Sequence, residues 1–114
     1  MNYLETFYTI LVGIQLLHSQ EEIHARFEKR WPVWKMSRTF FIAFEILFSV
    51  FIIVPIFLTT FPFREMWMQF FNILMFANGI WHLMWAASEK RYVPGVITAP
   101  LFLIIFSVFY FNLF

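Results

Sequence analysis

A short polar stretch at the end of the first apolar segment carries side chains that can bind a metal or transfer protons. It contains His18, Glu21 and Glu22, and a second histidine, His24, follows. At about 100° per residue, an α-helix places the first three on one face about 100° wide. Imidazole nitrogen and carboxylate oxygen are ligands that suit Zn, Fe or Mn. His24 lies outside this face, and we expect it to be solvated.

Three further polar side chains, Glu45, Asn78 and His82, lie inside the apolar segments that follow. Because successive membrane helices alternate in direction, these positions and His18 reach a similar depth in the cytoplasmic half of a bundle. An ionisable group in hydrocarbon costs at least ~2.5–3.5 kcal/mol and therefore tends to face a partner or a cavity. A shared divalent metal would be such a partner, and we expect the rings of His18 and His82 to meet. The predicted ligands are His18, Glu21, Glu22, Glu45 and His82, with Asn78 in support.

Two chemistries fit this ligand set. Zinc would lower the pKa of bound water towards ~7 and give hydrolysis, whereas two irons bridged by glutamate would give oxidation or desaturation. In either enzyme Glu45, Glu21 and His82 would be the catalytic residues. Simpler interpretations remain open. These interpret the paired glutamates as a solvated helix end, Glu45 as a protonated hydrogen-bonding group, and His82 with Asn78 as a polar contact between helices.

Composition indicates a membrane protein. The chain has 114 residues, of which 61% are hydrophobic and 13% are charged, too apolar a composition for a soluble domain of this size. We predict an all-α membrane protein, a single domain built as a four-helix transmembrane bundle. The predicted spans are about 3–22, 39–60, 66–87 and 96–114. Each supplies roughly 18–22 residues, enough to cross ~30 Å of hydrocarbon.

Lysine and arginine are distributed unevenly between the predicted loops. Seven of the eight lie between spans one and two or between spans three and four, and only Arg64 lies on the other side. Because cytoplasmic loops carry an excess of these residues, we predict that both termini are extracytoplasmic and that the protein is multi-pass in the cell membrane. Topology accounts for the basic residues, so we expect no nucleic-acid partner.

Three short motifs resemble those of the HXXEE family, a group of small bacterial integral membrane proteins. They are H-x-x-E-E at positions 18–22, N-G-I-W-H at 78–82 and Y-V-P-G at 92–95. The resemblance implies an enzyme of unassigned activity in the bacterial inner membrane. It also implies that His18, Glu21 and Glu22 are active-site residues, followed by Asn78 and His82. Glu45 is assigned to the site from its predicted depth alone, and not from the resemblance.

The sequence favours a metal-dependent enzyme, using zinc or iron, with its His/Glu site near the cytoplasmic interface. Its substrate would be a lipid or another apolar molecule that enters from the surrounding membrane lipids. A second interpretation is a small proton- or cation-coupled transporter, in which a homodimer would widen a narrow bundle. A third is an accessory membrane subunit whose polar face is structural.

Overall fold

The computed structural model describes residues 1–113, which form five helices and no strand. The helices are α1 (Tyr3–His24), α2 (Phe27–Arg30), α3 (Arg38–Phe57), α4 (Arg64–Glu89) and α5 (Ala99–Tyr110). Asn2 caps α1 through a reciprocal pair of hydrogen bonds with Glu5, and the Ser37 side chain caps α3. The all-helical prediction is therefore confirmed for the part of the chain that the structure describes.

The prediction of four full-length spans needs correction. Within residues 1–113, only α3 and α4 are both long and apolar enough to cross a membrane. Helix α1 has 22 residues, but its polar side chains lower its mean hydropathy. Helix α5 has only 12 residues, about 18 Å at ~1.5 Å per residue. It begins later than predicted because residues 94–98 form turns, and position 114 of that predicted span lies outside the described residues.

Helix α1 is central and contacts α3, α4 and α5. Its buried apolar side chains pack with those of α3, α4 and α5 in one core. This core contains Tyr8, Leu11, Val12, Ile52, Met68, Phe71, Met75 and Phe102. Helices α4 and α5 approach closely at Gly79, where an added Cβ would collide with the Leu103 side chain and lie 2.8 Å from the Ala99 carbonyl oxygen. This close packing holds the start of α5 against α4.

Both described chain ends lie at the same end of the bundle. The Tyr3 hydroxyl donates a hydrogen bond of 2.7 Å to the Phe109 carbonyl, which joins the start of α1 to the end of α5. The Arg64 and Glu5 side chains form an ion pair of 2.8 Å that ties the start of α4 to α1. The predicted site residues lie towards the opposite end.

Candidate functional site

His18, Glu22 and His82 lie together in the interior of the bundle. His18 and Glu22 are one turn apart on α1, and His82 reaches them from α4. The two histidine Nε2 atoms lie 3.1 Å apart. The Glu22 Oε2 atom lies 3.6 Å from the His18 Nε2 atom and 3.4 Å from the His82 Nε2 atom. All three side chains are buried, so three potential ligand atoms form a closed triangle away from solvent.

The imidazole rings of His18 and His82 meet edge to face, with centroids 4.5 Å apart and an interplanar angle of 85°. The expectation that these histidines meet is therefore confirmed. Gly95 covers both rings, because a Cβ at this position would lie 2.5 Å from the His82 Cε1 atom and 2.6 Å from the His18 Cε1 atom. Its φ of 97° is in the left-handed region that favours glycine.

The spacing of the three ligand atoms is suited to a small divalent ion. Zinc binds nitrogen and oxygen at about 2.0–2.1 Å, so tetrahedral coordination keeps its ligand atoms about 3.3 Å apart. The three observed separations, 3.1, 3.4 and 3.6 Å, lie close to this tetrahedral separation. The group is one that could hold a metal ion through two imidazoles and one carboxylate.

Glu21 faces away from this triangle and binds the chain that leads into α5. Its Oε2 atom accepts hydrogen bonds from the Tyr92 hydroxyl and from the backbone N–H groups of Gly95 and Ile97, at 2.7, 3.0 and 3.1 Å. Its Oε1 atom accepts from the Thr98 N–H group and the Thr98 hydroxyl, at 2.9 and 2.7 Å. Both carboxylate oxygens are thus occupied by donors from the residues that precede α5. A carboxylate is well suited to this place, where several backbone N–H groups converge.

Thr98 connects Glu21 to His18. Because its hydroxyl proton goes to Glu21, its oxygen can accept a hydrogen bond from the His18 Nδ1 atom, 2.7 Å away. This arrangement places the His18 proton on Nδ1 and leaves the lone pair of Nε2 directed at the triangle. Such a contact from a neighbouring side chain commonly fixes the tautomer and orientation of a metal-binding histidine.

Tyr92 closes this arrangement from the loop between α4 and α5. Partial burial, together with the hydrogen bond that its hydroxyl donates to Glu21, raises the pKa of Tyr92 from 10.0 to about 12. The phenol therefore stays protonated, and remains a donor to Glu21, well above neutral pH.

A cavity of about 570 Å³ lies between α3 and α4 and reaches the triangle. Glu22 and His82 form part of its polar wall, together with Gln15, Glu45 and Asn78. Glu45 is only 5% exposed, and its Oε2 atom has no hydrogen-bond partner within residues 1–113. A buried carboxylate oxygen without a partner is costly, so this oxygen is available to a ligand or to water in the cavity.

A family model described as "Protein of unknown function with HXXEE motif" matches residues 9–110. The chain belongs to the HXXEE family. No curated protein and no solved structure matches it.

The three residues that name the HXXEE motif have two different environments in this member of the family. His18 and Glu22 contribute to the triangle of ligand atoms, while Glu21 binds the residues before α5. Of the other residues predicted as ligands, His82 completes the triangle and Glu45 lines the cavity beside it. Asn78, predicted in support, is half-buried in the same cavity wall.

Thr98 and Gln15 are site residues that the sequence analysis did not single out. Thr98 directly precedes α5, and Pro100 lies in the first turn of that helix. Threonine just before a helix with an early proline is a recognised signal for a helix start, and it could have drawn attention to Thr98. Gln15 is 4% exposed, and it lies one turn before His18 on α1. A glutamine one helical turn from His18, within an apolar segment, could have indicated that Gln15 belongs to the site.

Proposed function

We propose that this HXXEE protein is an integral membrane metalloenzyme that uses zinc to hydrolyse an ester bond in a lipid or another apolar molecule. The observation that carries the proposal is the buried triangle of His18, Glu22 and His82 ligand atoms. Two histidines and one glutamate, with an open fourth position, are the ligand set of several zinc hydrolases. Glu22 and His82 also line the cavity, so the open position would face a space where substrate can enter.

The spacing favours zinc over iron. Octahedral coordination at similar bond lengths brings adjacent ligand atoms to about 3.0 Å, whereas two of the three observed separations are 3.4 and 3.6 Å. A di-iron centre in a helical bundle uses about four carboxylates with two histidines. Here Glu21 already accepts hydrogen bonds from five donors. Only Glu22 and Glu45 are then left as nearby carboxylates among the described residues, fewer than a di-iron centre uses.

Outward-facing apolar side chains support the membrane part of the proposal. In the apolar windows of α3 and α4, only 22% and 33% of the residues are buried within the protein. A core helix of a soluble protein would be mostly buried, whereas a membrane helix directs its apolar side chains at lipid. We propose that α3 and α4 span the membrane, that α1 and α5 complete a four-helix membrane bundle, and that both termini are extracytoplasmic.

In this proposal each residue of the site has a separate role. His18, Glu22 and His82 would hold the ion, which when bound would act as a Lewis acid and lower the pKa of water towards ~7. Glu45, which lines the same cavity, would accept a proton from the attacking water. As the bond between the ester carbonyl carbon and the alcohol oxygen broke, Glu45 would return that proton to the alcohol oxygen. Glu21 and Thr98 orient His18.

Metal content tests the proposal directly. The protein is purified in detergent without added metal, and zinc and iron are measured by elemental analysis. We expect about one zinc per chain in the wild type and a large loss in His18→Gln, Glu22→Gln and His82→Gln. His24→Gln and Glu65→Gln are matched controls at exposed positions and should keep the wild-type content. Wild-type protein without bound metal, or with equal metal in all five variants, would rule the metal site out.

Catalytic activity tests the proposed ester hydrolysis. Wild-type protein with zinc is incubated with lipid esters, and the release of fatty acid is measured against Glu45→Gln. This variant should keep its zinc and lose at least a hundredfold in kcat, because general-base catalysis contributes about 10²–10⁴-fold. Full activity in Glu45→Gln would exclude Glu45 as the proton acceptor.

A further inference from the structure

Two side-chain amides lie one helical turn from the triangle of ligand atoms, and both line the cavity between α3 and α4. Gln15 precedes His18 by three residues on α1, and Asn78 precedes His82 by four residues on α4. Helices α1 and α4 run in the same direction, since an ion pair joins their starts and the triangle joins them again farther along. At ~1.5 Å per residue, both amides therefore lie roughly 4–6 Å from the level of the triangle, on the side away from the α4–α5 connection.

Gln15 has a buried hydrogen-bond acceptor without a partner. The residue is 4% exposed, and its Oε1 atom forms no hydrogen bond within residues 1–113. Asn78 is half-buried in the wall of the same cavity. A buried amide oxygen is costly to leave unpaired. The Gln15 oxygen therefore indicates a cavity occupant that carries a hydrogen-bond donor at the level of the two amides.

An uncharged group suits this position better than a charged one. Among residues 1–113, no lysine or arginine lines the cavity, and the carboxylic acids that line it are Glu22 and Glu45. Two carboxylates balance the charge of one divalent ion in the triangle, so neither an anionic nor a cationic occupant would find an unmatched opposite charge. Burial of an unmatched charge is far more costly than burial of a hydrogen-bonded hydroxyl. A hydroxyl both donates and accepts hydrogen bonds, so it can donate to Gln15 and accept from Asn78.

The cavity wall beyond the two amides is apolar. Phe48 lines it on α3, and Leu74 and Met75 line it on α4. Phe48 follows Glu45 by three residues, and Leu74 and Met75 precede Asn78 by four and three residues. Because α3 runs opposite to α4, all three lie about one turn farther from the triangle. The two amides thus form a polar layer between the triangle and an apolar part of the cavity.

We propose that this cavity binds a hydroxylated acyl chain, with a hydroxyl group close to the ester carbonyl held between Gln15 and Asn78. The rest of the chain lies along Phe48, Leu74 and Met75. A hydroxyl on the third carbon, two bonds beyond a carbonyl placed at the triangle, spans this separation together with a hydrogen bond of about 2.8 Å. As the name of a substrate class this rests on the proposed function, but recognition of the hydroxyl requires no metal.

A matched set of esters tests the recognition of the hydroxyl. Methyl tetradecanoate is compared with its derivatives that carry one hydroxyl, on the third or on the twelfth carbon. Binding to the full chain in maltoside micelles is measured by equilibrium dialysis, with chelator to prevent zinc-dependent hydrolysis and protein-free micelles to subtract partitioning. We expect the third-carbon derivative to bind at least about tenfold more tightly than either other ester, because they leave the Gln15 oxygen unpaired. Equal affinity for the two hydroxylated esters, or for all three, would overturn the proposal.

Substitutions locate the hydroxyl. Gln15→Leu and Asn78→Leu each remove one amide and keep a side chain of similar size. Each should weaken binding of the third-carbon derivative about tenfold and leave binding of methyl tetradecanoate unchanged, so the ratio of the two affinities falls. Gln69→Leu is the control, since Gln69 is an exposed amide near the other end of α4. A wild-type ratio in both variants would overturn the assignment to the two amides.

Metal content separates this proposal from the proposed function. A preference for the third-carbon derivative, in wild-type protein that elemental analysis finds free of metal after purification, would reject the zinc enzyme and keep the hydroxyl site. Bound zinc together with equal affinity for the three esters would reject the hydroxyl site alone.

Discussion

The Nε2 atoms of His18 and His82 lie 3.1 Å apart, although 64 positions separate the two residues along the chain. The Thr98 contact at 2.7 Å places the His18 proton on Nδ1, so its Nε2 atom directs a lone pair at His82. In the absence of a metal, a proton on the His82 Nε2 atom would fill this gap. A metal would replace that proton and also neutralise the adjacent Glu22.

Removal of the metal should destabilise the protein. An ion that binds only the folded state stabilises it by about 2.7 kcal/mol when its free concentration is 100 times Kd. We expect chelator to lower the Tm of the wild type by several degrees and to leave His82→Gln unchanged. Differential scanning fluorimetry in detergent, with and without chelator, measures both. A wild type whose Tm ignores chelator would contradict the metal site.

Glu21→Gln should weaken metal binding although Glu21 does not join the triangle. The amide keeps one acceptor oxygen but turns an N–H₂ group towards donors that now bind the carboxylate, including the Gly95 and Thr98 N–H groups. Loss of a partner that orients a ligand typically reduces metal affinity by about 10–100-fold. Titration of the metal-free protein with zinc gives this ratio. Glu65→Gln, at an exposed position, should retain wild-type affinity, and equal affinity in both variants would exclude the orienting role.

Gly95→Ala and Gly13→Ala should have opposite effects. An added Cβ at Gly95 would lie 2.5–2.6 Å from both imidazole rings, and the Gly95 φ of 97° is unfavourable for alanine. We expect lost metal binding and a lower Tm. Gly13 lies within α1 and has nothing within 4 Å of an added Cβ, so alanine should stabilise by about 0.5–1 kcal/mol through its better helix propensity. Parallel melting curves and metal analysis compare the pair, and intact metal binding in Gly95→Ala would contradict the observed packing.

Tyr92 should make stability depend on alkaline pH. Its pKa rises from 10.0 to about 12 on folding, so the unfolded chain loses this proton first. The stabilisation is therefore complete below pH 10 and is lost as pH rises through about 12. We expect the Tm difference between wild type and Tyr92→Phe to narrow between pH 9 and pH 11.5. A constant difference across this range would show that the Tyr92 phenol does not donate to Glu21 as described.

The proposed topology can be tested with reporters. Basic residues favour a cytoplasmic location for the α1–α3 and α4–α5 connections, and the hydrogen bond from Tyr3 to the Phe109 carbonyl keeps the two chain ends on one side. A reporter that is active only in the cytoplasm should be silent after Phe114 and active when inserted after Lys90. Activity after Phe114 would reverse the proposed orientation.

Local periodicity was sufficient to predict most of the helices and one side of the site. Apolar runs of about twenty residues predicted α1, α3 and α4 to within three residues at each end. Helical spacing placed His18 and Glu22 on one face, because the 3.6-residue turn is a local property of the backbone. Depth within the apolar segments indicated Glu45 and His82 as their neighbours.

The separate environments of Glu21 and Glu22 were decided by the tertiary structure. The two residues are adjacent in sequence, and helical spacing alone left both on the predicted face. Glu21 is directed at the residues before α5, whose N–H groups converge on its carboxylate. Because residues 94–98 form turns, α5 also begins later in the chain than predicted. Helical spacing depends only on neighbouring residues, whereas the partner that a helix face meets depends on how distant segments pack. The sequence therefore determined which side chains could form the site, and the packing of α4 and α5 against α1 determined that Glu22 joins His82 while Glu21 holds His18 in place.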